Sequence, residues 1–234
     1  MRLLLKDPLV GYLYKYKNYK VMKRNYFFLL PLIMMLLTTC ETDKCKDATP
    51  LVTSDYYVLN VVDRLHAPGV TLLDAESYQQ TTEYTCGPAA VMTLLKYCGK
   101  TGDEMTIATE MGTSTSVGTN PEQMAGWLNT HGFTASWHEN GTLGLLRENL
   151  NNQIPTLVEW SDWGGHWVLV IGYDDRNTED LMDDVIIFAD PYDRHDDNLD
   201  GIDWFNAQRF YYMWYDALLF GRVMQKVYIT ANPL

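Results

Sequence analysis

The stretch QQTTEYTCGPAAVMTLLKYC, residues 79–98, decides the fold. Ala89-Ala90-Val91-Met92-Thr93-Leu94-Leu95 is dense in helix formers, and Pro88 suits a first helical position because its missing N–H has no intrahelical acceptor there. Gly99 offers a stop. A structural cysteine would be at home inside such a run, as Cys98 is, whereas Cys86 stands at its mouth. A helix N-terminus carries partial positive charge, which lowers a thiol pKa and favours the nucleophilic thiolate.

Beyond this stretch the pattern is helical first and strand-like later. TNPEQMAGWLNTHG (119–132) has Asn120 as cap, Pro121 at the first helical position, Glu122 in the first turn and Gly132 as stop. TLGLLRENLNN (142–152) reads as another helix. The short apolar runs PTLVEW (155–160), HWVLVIGY (166–173), VIIFAD (185–190) and KVYIT (226–230) read as buried strands, and YYVLNVV (56–62) has strand character. WFNAQRFYYMWYDAL (204–218) reads as an amphipathic helix whose Phe205, Phe210, Tyr211 and Trp214 belong to the core. Helices followed by a sheet, without internal repeats, predict an α+β fold.

The 234 residues allow one substantial domain, and a hydrophobic fraction of 47% supplies its core. The formal charge of −12 is unevenly placed. Residues 1–39 hold seven Lys/Arg and one acid, so the remainder carries 11 basic and 29 acidic residues, or −18. Such a surface repels nucleic acid and anionic lipid. From Met22, Met-Lys-Arg leads into an apolar core at Tyr26–Leu37 and then Thr38-Thr39-Cys40, the pattern of an export signal. The run is shorter than the roughly 20 apolar residues of a spanning helix. Leu37-Thr38-Thr39-Cys40 resembles a bacterial lipobox, with Thr39 where Gly or Ala is usual. The expected organisation is a signal region at 1–39 with its true start at Met22, a lipidated Cys40 and polar tether at 40–54, and a domain at 55–234. The protein is then expected in the cell envelope, membrane-anchored through the lipid alone. Ordinary signal cleavage or an uncleaved anchor is the alternative. Cys45 and Cys98 are left as either a disulfide or two free thiols.

A thiolate at a helix mouth acts only with a base, an orienting group and oxyanion donors. His166 begins a strand directly after Gly164-Gly165, where missing side chains let a substrate backbone approach. Asp190 ends VIIFAD before Pro191. If those strands are antiparallel neighbours, His166 and Asp190 meet at one edge, and the carboxylate fixes the imidazole while the other ring nitrogen meets the thiol. Gln80, six residues before Cys86, could place its side-chain NH2 beside the Cys86 N–H as an oxyanion hole. Gln79 is its rival under a one-residue shift, and His195 rivals His166 by its nearness to Asp190. His131 suits a helix C-terminus, and His66 and His138 have no matching context.

QTTEYTCGPAA, GGHWVLVIGYDD and FADPY together resemble the C39-type, papain-like cysteine peptidases, relatives of the bacteriocin leader-processing double-glycine peptidases. The resemblance runs from about residue 70 to about residue 215. It implies a papain-like fold, with Cys86 as nucleophile, His166 as base, Asp190 as orienting acid and Gln80 as oxyanion donor. No transporter is attached, so leader cleavage coupled to export is not implied. The insertions at 174–184 and 193–203 are expected to reshape the substrate cleft.

The resulting expectation is a monomeric exported peptidase, acting on peptide or protein through a thioester and needing no cofactor or metal. The rivals are a thioester-forming amidase or transpeptidase, and a peptide-binding lipoprotein with a vestigial cleft. Asp196, Asn198, Asp200 and Gly201 match the first part of a calcium loop, but its twelfth position is Ala207 where Glu is required. A solvated acidic turn is the preferred reading there.

Overall fold

The computed structural model describes residues 67–193, 200–216 and 221–234. The expectations for the signal, Cys40, Cys45, the strand at 56–62, His66, His195 and positions 196–199 of the acidic loop lie outside the described residues.

Among the described residues, five α-helices and seven strands follow in the order β1 (Val70–Leu72), α1 (Cys86–Tyr97), α2 (Glu104–Met111), α3 (Pro121–Thr130), β2 (Phe133–His138), α4 (Leu143–Asn151), β3 (Thr156–Trp160), β4 (His166–Asp174), β5 (Val185–Ala189), β6 (Ile202–Asn206), α5 (Ala207–Met213) and β7 (Tyr228–Pro233). The strands form one antiparallel sheet in the order β2-β7-β3-β4-β5-β6. β1 pairs with the end of β4, at Gly172–Asp174, where β3 no longer covers it. The fold is thus α+β, with β1 and β2 added by the N-terminal half.

α1 is a core helix, buried from Cys86 to Leu95 and packed on β4. It starts earlier than Pro88 suggests: Thr85 is the cap, and Cys86 is the first helical residue. α2 was not anticipated, although Asp103 caps it by accepting the Thr106 N–H at 2.8 Å and Gly112 ends it in the left-handed region. In α3, Asn120 and Gln123 form a reciprocal capping box. Thr142 caps α4.

Residues 204–218 correct the sequence reading. The segment Ile202–Asn206 is strand β6, paired along its length with β5, and only Ala207–Met213 is helical. Ile187 and Ile186 on β5 stand opposite Trp204 and Phe205, and this pairing outweighs the helical spacing of the aromatics. Asn206 then caps α5 by accepting the Arg209 N–H. Residues 217–218 lie outside the described residues. Phe210 and Trp214 are buried with Trp160 and Phe188, ring centroids 5.1–5.8 Å apart, whereas Phe205 and Tyr211 are half-buried. Each such aromatic contributes about 1.5–3 kcal/mol by leaving water.

The register between β4 and β5 shifts around Ile171, between Val170 and Gly172. A Cβ at Gly172 would come within 2.7 Å of Leu72 and 3.0 Å of the Thr71 carbonyl, so glycine lets β1 close on the sheet. The bulge leaves the first half of β4 opposite the end of β5, which is where the site is built.

Candidate active site

Three elements converge at the start of β4. α1 presents Cys86 at its first helical position, where the N–H groups are free of intrahelical acceptors. β4 opens with His166, buried at 3% exposure. β5 ends at Ala189, placing Asp190 beside it, fully buried. His166 Nε2 lies 2.7 Å from Asp190 Oδ1. The imidazole also shares a hydrogen bond with the Cys86 thiol. The structure therefore brings Cys86, His166 and Asp190 into one chain of contacts.

The electrostatics follow from that chain. Burial alone would raise the Cys86 pKa, but the hydrogen bond and charge of His166, with the N–H groups of Trp167 and Gly87, outweigh it and hold the thiol below its ordinary value. Burial would lower the His166 pKa, yet the charge and hydrogen bond of Asp190, joined by Cys86, raise it to about 10. Asp190 is held below its ordinary value because His166, the Tyr192 N–H and Asp203 outweigh its burial. Both shifts run toward a thiolate–imidazolium pair anchored by a carboxylate.

Gln80 sits on a strap tied to the loop after β5. Its N–H donates to the Pro191 carbonyl at 2.8 Å, and its Nε2 donates to the Thr82 carbonyl at 2.7 Å. Its Oε1 is buried without a hydrogen-bond partner among the described residues. The bond to Thr82 uses one of the two N–H groups of the amide. Gln79 is committed elsewhere: its Nε2 donates to the Asp190 carbonyl at 2.7 Å and its Oε1 accepts the Asp193 N–H. Glu104 of α2 clamps the strap from the other side, accepting the Thr81 N–H at 3.0 Å and the Tyr78 hydroxyl at 3.3 Å.

The thiol opens onto a cleft of about 330 Å³. Gly164, Gly165 and Trp167 form one wall, and the tight turn Ser114–Gly118 contributes to the other. The Trp167 indole donates to the Thr119 carbonyl at 2.9 Å and so ties the turn's base to β4. The remaining described histidines stand elsewhere. His131 stacks on Trp127 with ring centroids 3.8 Å apart, and His138 bonds Ser136 on β2.

The model of the Peptidase_C39 like family matches residues 72–217. The chain belongs to the C39-like peptidase family. The family match spans α1 through α5 and so contains every residue of the converged site. The peptidase domain of Streptococcus ComA, a bi-functional ABC transporter in a quorum-sensing pathway, has the same fold at 15% identity. That match covers 68% of this chain and 99% of the domain, with a TM-score of 0.51. A protein from Bacillus anthracis described as a C39-like peptidase also shares 15% identity. It covers 70% of this chain and 98% of its own, again at a TM-score of 0.51. No curated protein matches the chain.

Two acids beside the site went unseen in the sequence. Asp203 of β6 is buried against Asp190 and helps hold its charge. Glu159 of β3 lies in the register opposite Trp167 and lines the cleft with Cys86. Its signal was an acid inside the otherwise apolar run Leu157-Val158-Glu159-Trp160.

Proposed function

We propose that the chain is a cysteine peptidase that hydrolyses peptide bonds through a Cys86 thioester. The observation that carries the reading is the buried contact chain Cys86–His166–Asp190, with Cys86 at a helix N-terminus facing the cleft. The Cys86 thiolate attacks the substrate carbonyl carbon. The second N–H of the Gln80 amide and the Cys86 backbone N–H stabilise the oxyanion. His166 donates its proton to the leaving amine, and the acyl group stays on sulfur. The neutral imidazole then takes a proton from water, whose oxygen attacks the thioester. Collapse releases the acid, and the thiolate and imidazolium are restored. Asp190 keeps the ring oriented and its charged form favoured throughout.

The test is to incubate the purified protein with a mixed peptide library and read the products by mass spectrometry. Cleavage by the native protein and none by Cys86→Ala is expected. Intact peptides in both samples would refute peptidase activity. Transfer of the acyl group to an added amine, with no hydrolysis, would instead identify a transferase.

The proposal extends to location. The Met22–Cys40 pattern supports export with lipid on Cys40. Cells expressing the chain and fed labelled palmitate should yield labelled native protein and unlabelled Cys40→Ser. Label in neither would remove the anchor.

A further inference from the structure

We infer that Glu159 forms the floor of a substrate subsite that accepts the cationic side chain of a lysine or arginine near the scissile bond. This rests on the reading of the Cys86 cleft as a peptidase site. Glu159 is 1% exposed, and its Oε2 has no hydrogen-bond partner among the described residues. An acid in that state is costly, since a buried carboxylate keeps its charge only when paired or hydrogen-bonded. Its strand does not require it. Its neighbours Leu157, Val158 and Trp160 are apolar and buried.

What distinguishes Glu159 from a misplaced core residue is its position. It lines the same 330 Å³ cleft as the nucleophile, and among the described residues of that lining Glu83 is the other acid and there is no Lys, Arg or His. Among the described residues, the cleft therefore offers two carboxyl groups, one buried and one at the rim, and its nearest cation is the imidazole behind Cys86. Burial, then Asp216 and Cys86, opposed by His166, hold the Glu159 carboxyl well above its ordinary value. A substrate ammonium or guanidinium would supply the missing donor and the compensating charge together. Glu83, exposed at the rim, adds attraction for an approaching cation without a fixed contact.

The experiment uses pairs of N-acetylated fluorescent peptides that differ at one position, lysine or arginine against glutamine, scanned on both sides of the cleaved bond. Acetylation removes the amino terminus as a competing cation. Binding is measured by anisotropy on Cys86→Ala, and turnover on the native protein. At one position the basic peptide should bind and turn over about 10- to 100-fold better than its glutamine partner, and Glu159→Gln should bring that ratio close to one. A ratio near one at every position in the presence of Glu159 would overturn the subsite, and this arm needs no folded Glu159 variant. A ratio unchanged by Glu159→Gln, in a variant shown by its thermal transition to be folded, would also overturn it. So would equal slowing of both peptides, which would make Glu159 a positioning residue for His166. No turnover of any peptide, with the binding ratio intact on Cys86→Ala, would refute the peptidase reading while sustaining the cation subsite.

Discussion

At the scale of single residues, two cysteines at opposite ends of one helix show how position sets chemistry. Cys86 begins α1 and Cys98 follows its end. His166 holds the first thiol below its ordinary pKa, while burial raises the second. An ordinary thiol is only about 0.3% thiolate at pH 6. Iodoacetamide at pH 6 should therefore label Cys86 at least about tenfold faster than Cys98 in the reduced protein, as read by peptide mapping. Equal rates, or Cys86 the slower, would remove the activated nucleophile. Gln80 and Asp190 act at different moments. Gln80 stabilises charge that exists only in the transition state, so Gln80→Ala should lower kcat about 10²–10³-fold with little change in KM. Asp190→Asn keeps a hydrogen-bonding group beside Nε2 and should retain more activity than Asp190→Ala. Unchanged activity in both would take Asp190 out of the site. The sequence located Cys86, His166 and Asp190 as candidates because each stands at the end of an element, beside Gly-Pro, Gly-Gly or Pro. Glu159 and Asp203 carry no such mark: each lies inside a strand, and only the sheet register puts it beside the cleft or Asp190.

At the scale of elements, legibility followed caps and broke where pairing decides. α3 was readable because Asn120, Pro121 and Gly132 mark both ends in the chain itself. β6 was not, because its aromatics fit a helical period equally well and only the adjacent β5 selects the strand. α2 had readable caps but is too short and weakly patterned to stand out from a loop. Its omission hid a functional link, since Glu104 is the residue of α2 that grips Thr81, next to Gln80. Glu104→Ala should loosen the strap and lower kcat more than it raises KM, because Gln80 would be less well placed for the oxyanion. Losing the charge-assisted bonds of this buried carboxylate should also cost about 1.5–3 kcal/mol of stability. Steady-state kinetics and denaturant melts of the same variant would separate the two effects. A stability loss with kcat intact would show that the strap is held by the Pro191 and Asp190 carbonyls alone.

At the scale of the whole molecule, the buried ion pair that orders the site also joins β4 to the end of β5, so the fold senses its titration. His166 is raised from an ordinary 6.5 to about 10. The stability it contributes is then complete below about pH 6.5 and is lost as the pH rises through about 10. Asp190 is lowered from an ordinary 3.8, so its contribution is present above about pH 3.8 and is lost as the pH falls below it. The two overlap fully between about pH 3.8 and 6.5. Removing the carboxylate abolishes one contribution directly and, by leaving the buried imidazole without its main counter-ion, most of the other. The difference in thermal midpoint between the native protein and Asp190→Ala should therefore be widest in that window. It should narrow progressively toward pH 10, and also toward pH 2. Other groups titrate over the same range, but taking the difference between two chains that share them cancels most of their effect. Thermal melts of both proteins at one-unit pH intervals give the comparison. A difference that stays flat from pH 5 to 10 would mean that His166 is neutral in the resting protein, and the thiolate–imidazolium pair would go with it.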